Sequence, residues 1–168
     1  QNILFDGAMN LEVSRSLAEG TGPRRLYDFN EYFAHGVQTK EPYILVGALV
    51  FKLLGVGVIQ AQLPNLLFLV AMCATAFLVT RRLFDAGAGM AVVLVLLATP
   101  MMTQYGLNGY GEVPSFAFGL AAIGLLAWPA PITEHFLIKC LVAGVLAGLA
   151  LTTKTVGAIQ VGANGLTL

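Results

Sequence analysis

The stretch "AQLPNLLFLVAMCATAFLVTRRLF", residues 61–84, decides the fold of this protein. Its first 20 residues contain no Asp, Glu, Lys or Arg, and two arginines, Arg81 and Arg82, follow directly. About 20 predominantly apolar residues are enough for a helix to cross the hydrocarbon core of a bilayer. Arginines at the end of such a helix can extend to the lipid headgroups. The stretch therefore predicts a transmembrane helix.

The composition of the whole chain agrees with this prediction. The chain has 168 residues, of which 57% are hydrophobic and 11% charged, and its mean hydropathy is +0.79. These values are typical of membrane proteins. The net charge is zero and the basic residues are scattered, which excludes a nucleic-acid partner. Because the chain begins without Met and ends in a Gly-rich apolar tail, we expect it to be part of a longer protein.

Neither the cysteines nor the histidines indicate a metal site. Cys73 and Cys140 each lie in an apolar run, so we expect both to be packing residues. His35 and His135 have no partner at a metal-ligand spacing. The sequence indicates no cofactor, and it leaves open whether a divalent metal is needed.

Four runs are long and apolar enough to span a membrane, at about 61–80, 86–105, 113–132 and 136–153. The sequence therefore predicts an all-α polytopic membrane protein. Residues 43–59 form a shorter apolar run that contains Lys52, and a charge at mid-bilayer costs roughly 2.5 to 3.5 kcal/mol. We predict three regions: an outer loop with a juxtamembrane helix (1–42), an interfacial helix (43–59), and transmembrane helices leading into a further segment (60–168).

The position of the Lys52 helix sets the topology. If residues 43–59 span the membrane, Arg81 and Arg82 lie on the same side as residues 1–40. If they lie along the interface, the two arginines lie on the opposite side. The positive-inside rule favours the second arrangement, with "TRRLFDAG" cytoplasmic and with Asp6 and Glu112 on the outer face.

Residues 3–20, "ILFDGAMNLEVSRSLAEG", predict an amphipathic helix. Met9, Val13 and Leu17 recur every fourth residue and form one apolar stripe, which suits a helix on a membrane surface. Asp6 is placed as its N-cap and Gly20 as its C-terminal stop. Asp6 can serve as a cap, as a catalytic carboxylate, or as both.

Glu112 lies in "YGLNGYGEVPSF", directly before the helix that Pro114 starts. A carboxylate at a helix N-terminus is favourable by about 0.3 to 1 kcal/mol, which is one explanation. A carboxylate among glycines, tyrosines and an asparagine at a membrane interface is also what a functional site requires. The residues alone leave these two explanations open.

Four other charged residues have simple structural explanations. Arg15 can pair with Glu12 or Glu19 on its own helix. Lys40 and Glu41, in "QTKEPY", can form a solvated, self-paired loop, and Lys154 can anchor a helix end at the headgroups.

Taken in order, these stretches resemble the membrane-embedded GT-C glycosyltransferases, in particular the bacterial group related to the protein O-mannosyltransferases and the lipid A aminoarabinose transferases. "FDGAMNLEVSRSLAEG" resembles the first outer loop of that family, and "KEPYILVGALVFKLLGVG" resembles its Lys-Pro-Pro element and second juxtamembrane helix. "YGLNGYGEVPSFAFGL" resembles its second outer loop, and "AGVLAGLALTTKT" resembles its Thr-Lys helix end. Three departures are Gly7 and Asn10, where the family often has an acidic and an aromatic residue, and Glu41, where it often has proline.

The resemblance implies an inverting transfer of a sugar from a polyprenyl-phosphate carrier to a glycan, lipid or protein acceptor. It implies an outward-facing active site in a bacterial inner membrane. By the same resemblance, Asp6 is the base and Glu112 orients the acceptor or the base. Lys40 and Arg15 contact the phosphate, and Glu41 and Lys154 belong to the same binding region.

Two other classes of function compete with this one. A transporter needs ionisable residues near the bilayer midplane, whereas those of this chain lie near the predicted helix ends. A non-catalytic homologue that has lost its site is the second alternative, and Gly7 is the residue that raises it.

Overall fold

The computed structural model describes residues 5–22, 41–107, 111–128 and 134–153. Within these ranges it is helical and has no β-strand, which confirms the predicted all-α class. The helices are α1 (Phe5–Ala18), α2 (Glu41–Leu54), α3 (Val58–Leu83), α4 (Ala86–Ala98), α5 (Pro100–Leu107), α6 (Glu112–Ala127) and α7 (Glu134–Thr153).

Helix α3 lies at the centre of the fold and packs against α2, α4 and α6. The core joins α2, α3 and α6 through Tyr43, Phe68, Met72, Val113 and Ala117. The Phe68 ring meets that of Phe118 edge to face, with ring centroids 5.4 Å apart. Apolar contacts of this kind set which ends of the helices lie together.

Within the described ranges, two helices, α3 and Phe136–Thr153 of α7, are long and apolar enough to cross a membrane. Less than a third of the most apolar window of each is buried inside the protein. Large apolar side chains on both helices are exposed, among them Leu67 and Val70 of α3 and Leu137 and Leu141 of α7. Apolar helices with mostly exposed side chains suit a lipid environment rather than water.

The predicted helix over 86–105 is divided into α4 and α5. Thr99 has an extended backbone (ψ 113°), and Pro100 begins the next helix. A proline disfavours helical geometry in the residue before it and fits well at the first position of a helix. The Thr99 hydroxyl donates a hydrogen bond to the Val95 carbonyl at 2.8 Å, and the Thr99 amide bonds the carbonyls of Val95 and Leu96 at the end of α4.

Helix α2 ends at Leu54, and Val58 and Ile59 belong to α3 rather than to the predicted 43–59 helix. Gly55 takes a left-handed conformation (φ 82°), and its amide bonds the Phe51 carbonyl at 2.9 Å. This geometry ends a helix and favours glycine. Fourteen residues of helix measure about 21 Å, shorter than the roughly 30 Å hydrocarbon core. The interfacial position of α2 stays a prediction that its length supports.

Helices α6 and α7 run antiparallel. At one end of the pair, the buried Ser115 hydroxyl donates to the Ala150 carbonyl at 2.9 Å. At the other end, the Lys139 ammonium group donates to the carbonyls of Leu126 and Trp128. The described part of α6 ends at Ala127, five residues before the predicted boundary at 132. The fold therefore has two distinct ends, about 24 Å apart along α6.

Candidate functional site

One end of the bundle, which we call the polar end, contains Tyr43, Asn65, Glu112, Ser115 and Thr153. These residues come from the starts of α2 and α6, the first half of α3 and the last turn of α7. Tyr43 and Val113 pack in the same core, which brings the starts of α2 and α6 together. The hydrogen bond from Ser115 to the Ala150 carbonyl adds the end of α7. This end therefore combines a carboxylate with neutral hydrogen-bonding groups.

Glu112 is the charged residue of the polar end whose side chain the structure describes. It lies in the first turn of α6, and its carboxylate oxygen Oε2 is shielded from solvent. Gly111 precedes it and offers no side-chain cap, so the carboxylate is the negative group at this helix terminus. Macrodipole compensation and a functional role therefore remain compatible for Glu112.

Tyr43 and Asn65 are the polar residues that sequence reasoning missed. Tyr43 is 0% exposed and Asn65 1% exposed. Burial raises the pKa of the Tyr43 phenol to about 12, although the nearby Asn65 side chain partly offsets this effect. The phenol is therefore neutral at physiological pH and can donate a hydrogen bond. The signal in the sequence was an asparagine inside the apolar run "QLPNLLF".

Ser115 and Thr153 are also buried, and both are hydrogen-bonded to backbone carbonyls. The Thr153 hydroxyl donates to the Leu149 carbonyl at 2.6 Å within α7. Ser115 instead connects two helices. Their hydroxyl protons are committed to the fold, so we assign both residues a structural role.

Helix α1 corrects one prediction and confirms another. Asp6 has a helical backbone within α1, so it lies in the first turn and is not the N-cap. The C-terminal stop at Gly20 is confirmed, because Gly20 takes a φ of 75°. Its amide bonds the Leu17 carbonyl, and the Thr21 amide bonds the Ser16 carbonyl. These two bonds form a Schellman motif.

Helix α1 packs closely on α2. A side-chain carbon on Gly47 would lie 2.6 Å from the Ser14 hydroxyl oxygen and 3.0 Å from its Cβ. Ser14 is fully buried, and its hydroxyl donates to the Asn10 carbonyl at 2.9 Å. Glycine at position 47 therefore lets the helix that carries Asp6 approach α2.

Arg15 makes the local ion pair that the sequence suggested. Its Nε atom lies 2.7 Å from Glu19 Oε1, and both side chains are about half exposed. The hydrogen bond that Arg15 donates to the Glu19 carboxylate raises the pKa of the Arg15 guanidinium. An exposed pair of this kind contributes little to stability, and a phosphate contact by Arg15 stays a prediction.

The other predicted site residues are described only in part. Glu41 begins α2, but its side chain lies outside the described residues, as does that of Asp6. Lys40 and Lys154 lie outside the described residues entirely. In the chain, however, Lys40 comes directly before α2 and Lys154 directly after Thr153, the last residue of α7.

The opposite end, which we call the basic end, carries Arg82, Trp128 and Lys139. The Arg82 guanidinium lies over the Trp128 ring, 5.5 Å from its centroid. Lys139 hydrogen-bonds the carbonyls of Leu126 and Trp128 at the C-terminal end of α6 and so caps this helix end. Nearby in the chain, Asp85 caps α4 by accepting a hydrogen bond from the Ala88 amide at 2.8 Å.

The comparisons with known proteins give one match. The family model of the dolichyl-phosphate-mannose-protein mannosyltransferases matches residues 42–164, well over half of the chain. Searches of curated proteins and of solved structures found no match. The matched range includes α2 from its second residue and all of α3 to α7, and therefore every residue of the polar end.

Proposed function

We propose that this chain, which belongs to the dolichyl-phosphate-mannose-protein mannosyltransferase family, forms part of a glycosyltransferase site on the outer face of a membrane. Membership of the family makes the chain a GT-C-type glycosyltransferase and a membrane protein. The proposal adds the donor, a sugar on a polyprenyl-phosphate carrier, and a hydroxyl-bearing glycan, lipid or protein as acceptor. It also adds a bacterial inner membrane and an outward-facing site.

The observation that carries the proposal is the separation of the two ends of the bundle. The carboxylate of Glu112 and the buried phenol of Tyr43 lie at one end, while Arg82 and Lys139 lie at the other. The positive-inside rule favours a cytoplasmic basic end, which puts the polar end outside. An outward polar end fits a donor whose sugar is displayed on the outer leaflet.

The proposed reaction is a direct displacement at the anomeric carbon. The acceptor hydroxyl loses its proton to Asp6, and its oxygen forms a bond to the anomeric carbon. The bond between that carbon and the phosphate oxygen breaks, and the electron pair stays on the phosphate. Attack from the face opposite the leaving group inverts the configuration.

The remaining predicted residues serve the two partners of this reaction. A departing phosphate needs positive charge rather than a proton, and Lys40, Arg15 and Lys154 are proposed to supply it. Glu112 is proposed to orient the acceptor or Asp6, and Glu41 to lie beside the donor. No separate cofactor is part of the proposal.

Transfer assays on the full-length protein test this assignment. Asp6→Asn should lower transfer from a polyprenyl-phosphate sugar by at least about a hundredfold, the usual scale for acid/base catalysis. Glu112→Gln should also lower transfer, whereas both proteins should still insert into membranes.

The matched control is Asp85→Asn. It makes the same carboxylate-to-amide change at the basic end, and asparagine caps a helix about as well as aspartate. Transfer by this variant should equal that of the wild type. Near-normal transfer by both Asp6→Asn and Glu112→Gln would show that neither carboxylate is catalytic, whereas a wild-type protein that transfers no sugar would favour the non-catalytic homologue.

A further inference from the structure

The basic end brings two cations from different helices to one aromatic residue. Arg82 lies in the last turn of α3, Lys139 in the second turn of α7, and Trp128 directly after α6. The Arg82 guanidinium lies 5.5 Å from the centroid of the Trp128 ring, and the Lys139 ammonium group donates to the Trp128 carbonyl. Because both cations contact the same residue, they lie within reach of one bound anion.

Neither contact uses up the hydrogen-bonding capacity of its cation. A guanidinium has five N–H donors in its own plane, and Arg82 contacts the face of the Trp128 ring. Lys139 has three donors, and the carbonyls of Leu126 and Trp128 accept two of them. Both cations therefore keep donors for a further acceptor.

No described carboxylate forms an ion pair with either cation. Asp85, three residues after Arg82, is the carboxylate of the basic end whose side chain the structure describes, and the Ala88 amide holds it in its capping position. Among the described residues, the ion pair that the structure shows is that of Arg15 and Glu19 on α1. Two like charges with spare donors and no carboxylate partner favour binding of an external anion.

The surroundings of the two cations suit a lipid better than a soluble anion. Trp128 is 48% exposed and Phe84 76% exposed, and Leu83 and Leu137 are exposed as well. Exposed tryptophan is typical of the membrane interface, and basic pockets between transmembrane helices bind anionic headgroups. A soluble phosphate would leave these apolar side chains uncovered, whereas the acyl chains of a phospholipid would cover them.

We propose that Arg82, Lys139 and Trp128 form a binding site for the headgroup of an anionic phospholipid, between the ends of α3 and α6 and the start of α7. Arg82 and Lys139 donate to the phosphate, and a guanidinium fits phosphate oxygens well. Trp128 and Phe84 pack against the start of the acyl chains. The site lies at the end of the bundle opposite the polar end, and it does not depend on the proposed function.

Lipid binding to the full-length protein tests this proposal. The protein is purified in mild detergent, and bound phosphatidylglycerol is counted by native mass spectrometry while the lipid is titrated. Arg82→Gln and Lys139→Gln should each lower the affinity about fivefold, the usual effect of one basic residue near an anionic lipid surface. Phosphatidylcholine, which is similar in size and has no net charge, should bind the wild type more weakly than phosphatidylglycerol does.

Both variants should fold. Arg82 is exposed, and glutamine at position 139 keeps a donor for the carbonyls of α6 while it removes the charge. Unchanged affinity in Arg82→Gln and Lys139→Gln would overturn the proposal. Displacement of the bound lipid by soluble glycerol phosphate would assign the site to a soluble anion and would also overturn it.

The matched control is Lys52→Gln. Lys52 is exposed in the last turn of α2, directly before the start of α3, whereas Arg82 lies at the opposite end of α3. The affinity of this variant for phosphatidylglycerol should equal that of the wild type. An equal loss in Lys52→Gln and Arg82→Gln would show a general attraction between basic residues and anionic lipid, and would overturn the assignment of a site.

Discussion

The contact between α1 and α2 at Gly47 can be tested by whether Gly47→Ala raises or lowers the free energy of unfolding. Replacing a helical glycine with alanine normally stabilises a protein by about 0.8 to 1 kcal/mol, because alanine has the higher helix propensity. In Gly47→Ala, however, the new methyl group would lie 2.6 Å from the Ser14 hydroxyl oxygen. Ser14 is buried and hydrogen-bonded to Asn10, so it cannot simply rotate away.

Overpacking of this kind typically costs about 1 to 3 kcal/mol. After subtraction of the gain in helix propensity, we expect Gly47→Ala to lower the free energy of unfolding by roughly 1 kcal/mol. Transfer should fall as well, because the change displaces the helix that carries Asp6. The assays are thermal unfolding of the purified full-length protein in detergent and sugar transfer in membranes.

Gly144→Ala is the matched control. Gly144 is exposed on α7, and an added side-chain carbon would meet no atom within 4 Å. We therefore expect the free energy of unfolding of this variant to rise by about 0.8 to 1 kcal/mol from helix propensity, and its transfer rate to stay unchanged. In the rescue variant, Ser14→Gly is combined with Gly47→Ala, which moves the side chain from one helix to the other. If Gly47→Ala is as stabilising as Gly144→Ala, α1 does not pack on α2 as described.

Three further predictions concern charge and topology. Cysteines introduced next to Glu112 should react with a membrane-impermeant reagent added outside intact cells, and cysteines next to Arg82 should not; labelling of both from one side would contradict the topology. Lys40→Ala should lower transfer by orders of magnitude without loss of membrane insertion, and Lys40→Arg should partly restore it; unchanged turnover would make Lys40 an ordinary loop charge. The pKa of Tyr43 is about 12 in the folded protein and near 10 in the unfolded chain. The contribution of Tyr43 to the free energy of unfolding should therefore be fully present below pH 10 and be lost between pH 10 and 12. This alkaline loss should be smaller in Tyr43→Phe when unfolding is followed against pH.

The candidate site was predictable from the sequence only where a charged residue stands out from apolar surroundings. Asp6, Lys40 and Glu112 were predicted as site residues because an ionisable residue at the edge of an apolar run is conspicuous. Tyr43 and Asn65 were missed because a tyrosine and an asparagine fit within such runs without interrupting them. The two residues lie 22 positions apart in the sequence, and their burial arises only when α2 packs against α3.

The sequence by itself determined the helical class and the membrane environment, because both follow from local hydrophobicity and from runs of sufficient length. It also determined the stop at Gly20, which needs only a residue that accepts a left-handed backbone. Tertiary structure decided which helix ends lie together. The pairing of Ser115 with Ala150, and of Lys139 with the last carbonyls of α6, separates the polar end from the basic end. Such pairings depend on how neighbouring helices align in space, and local hydrophobicity contains no information about that alignment.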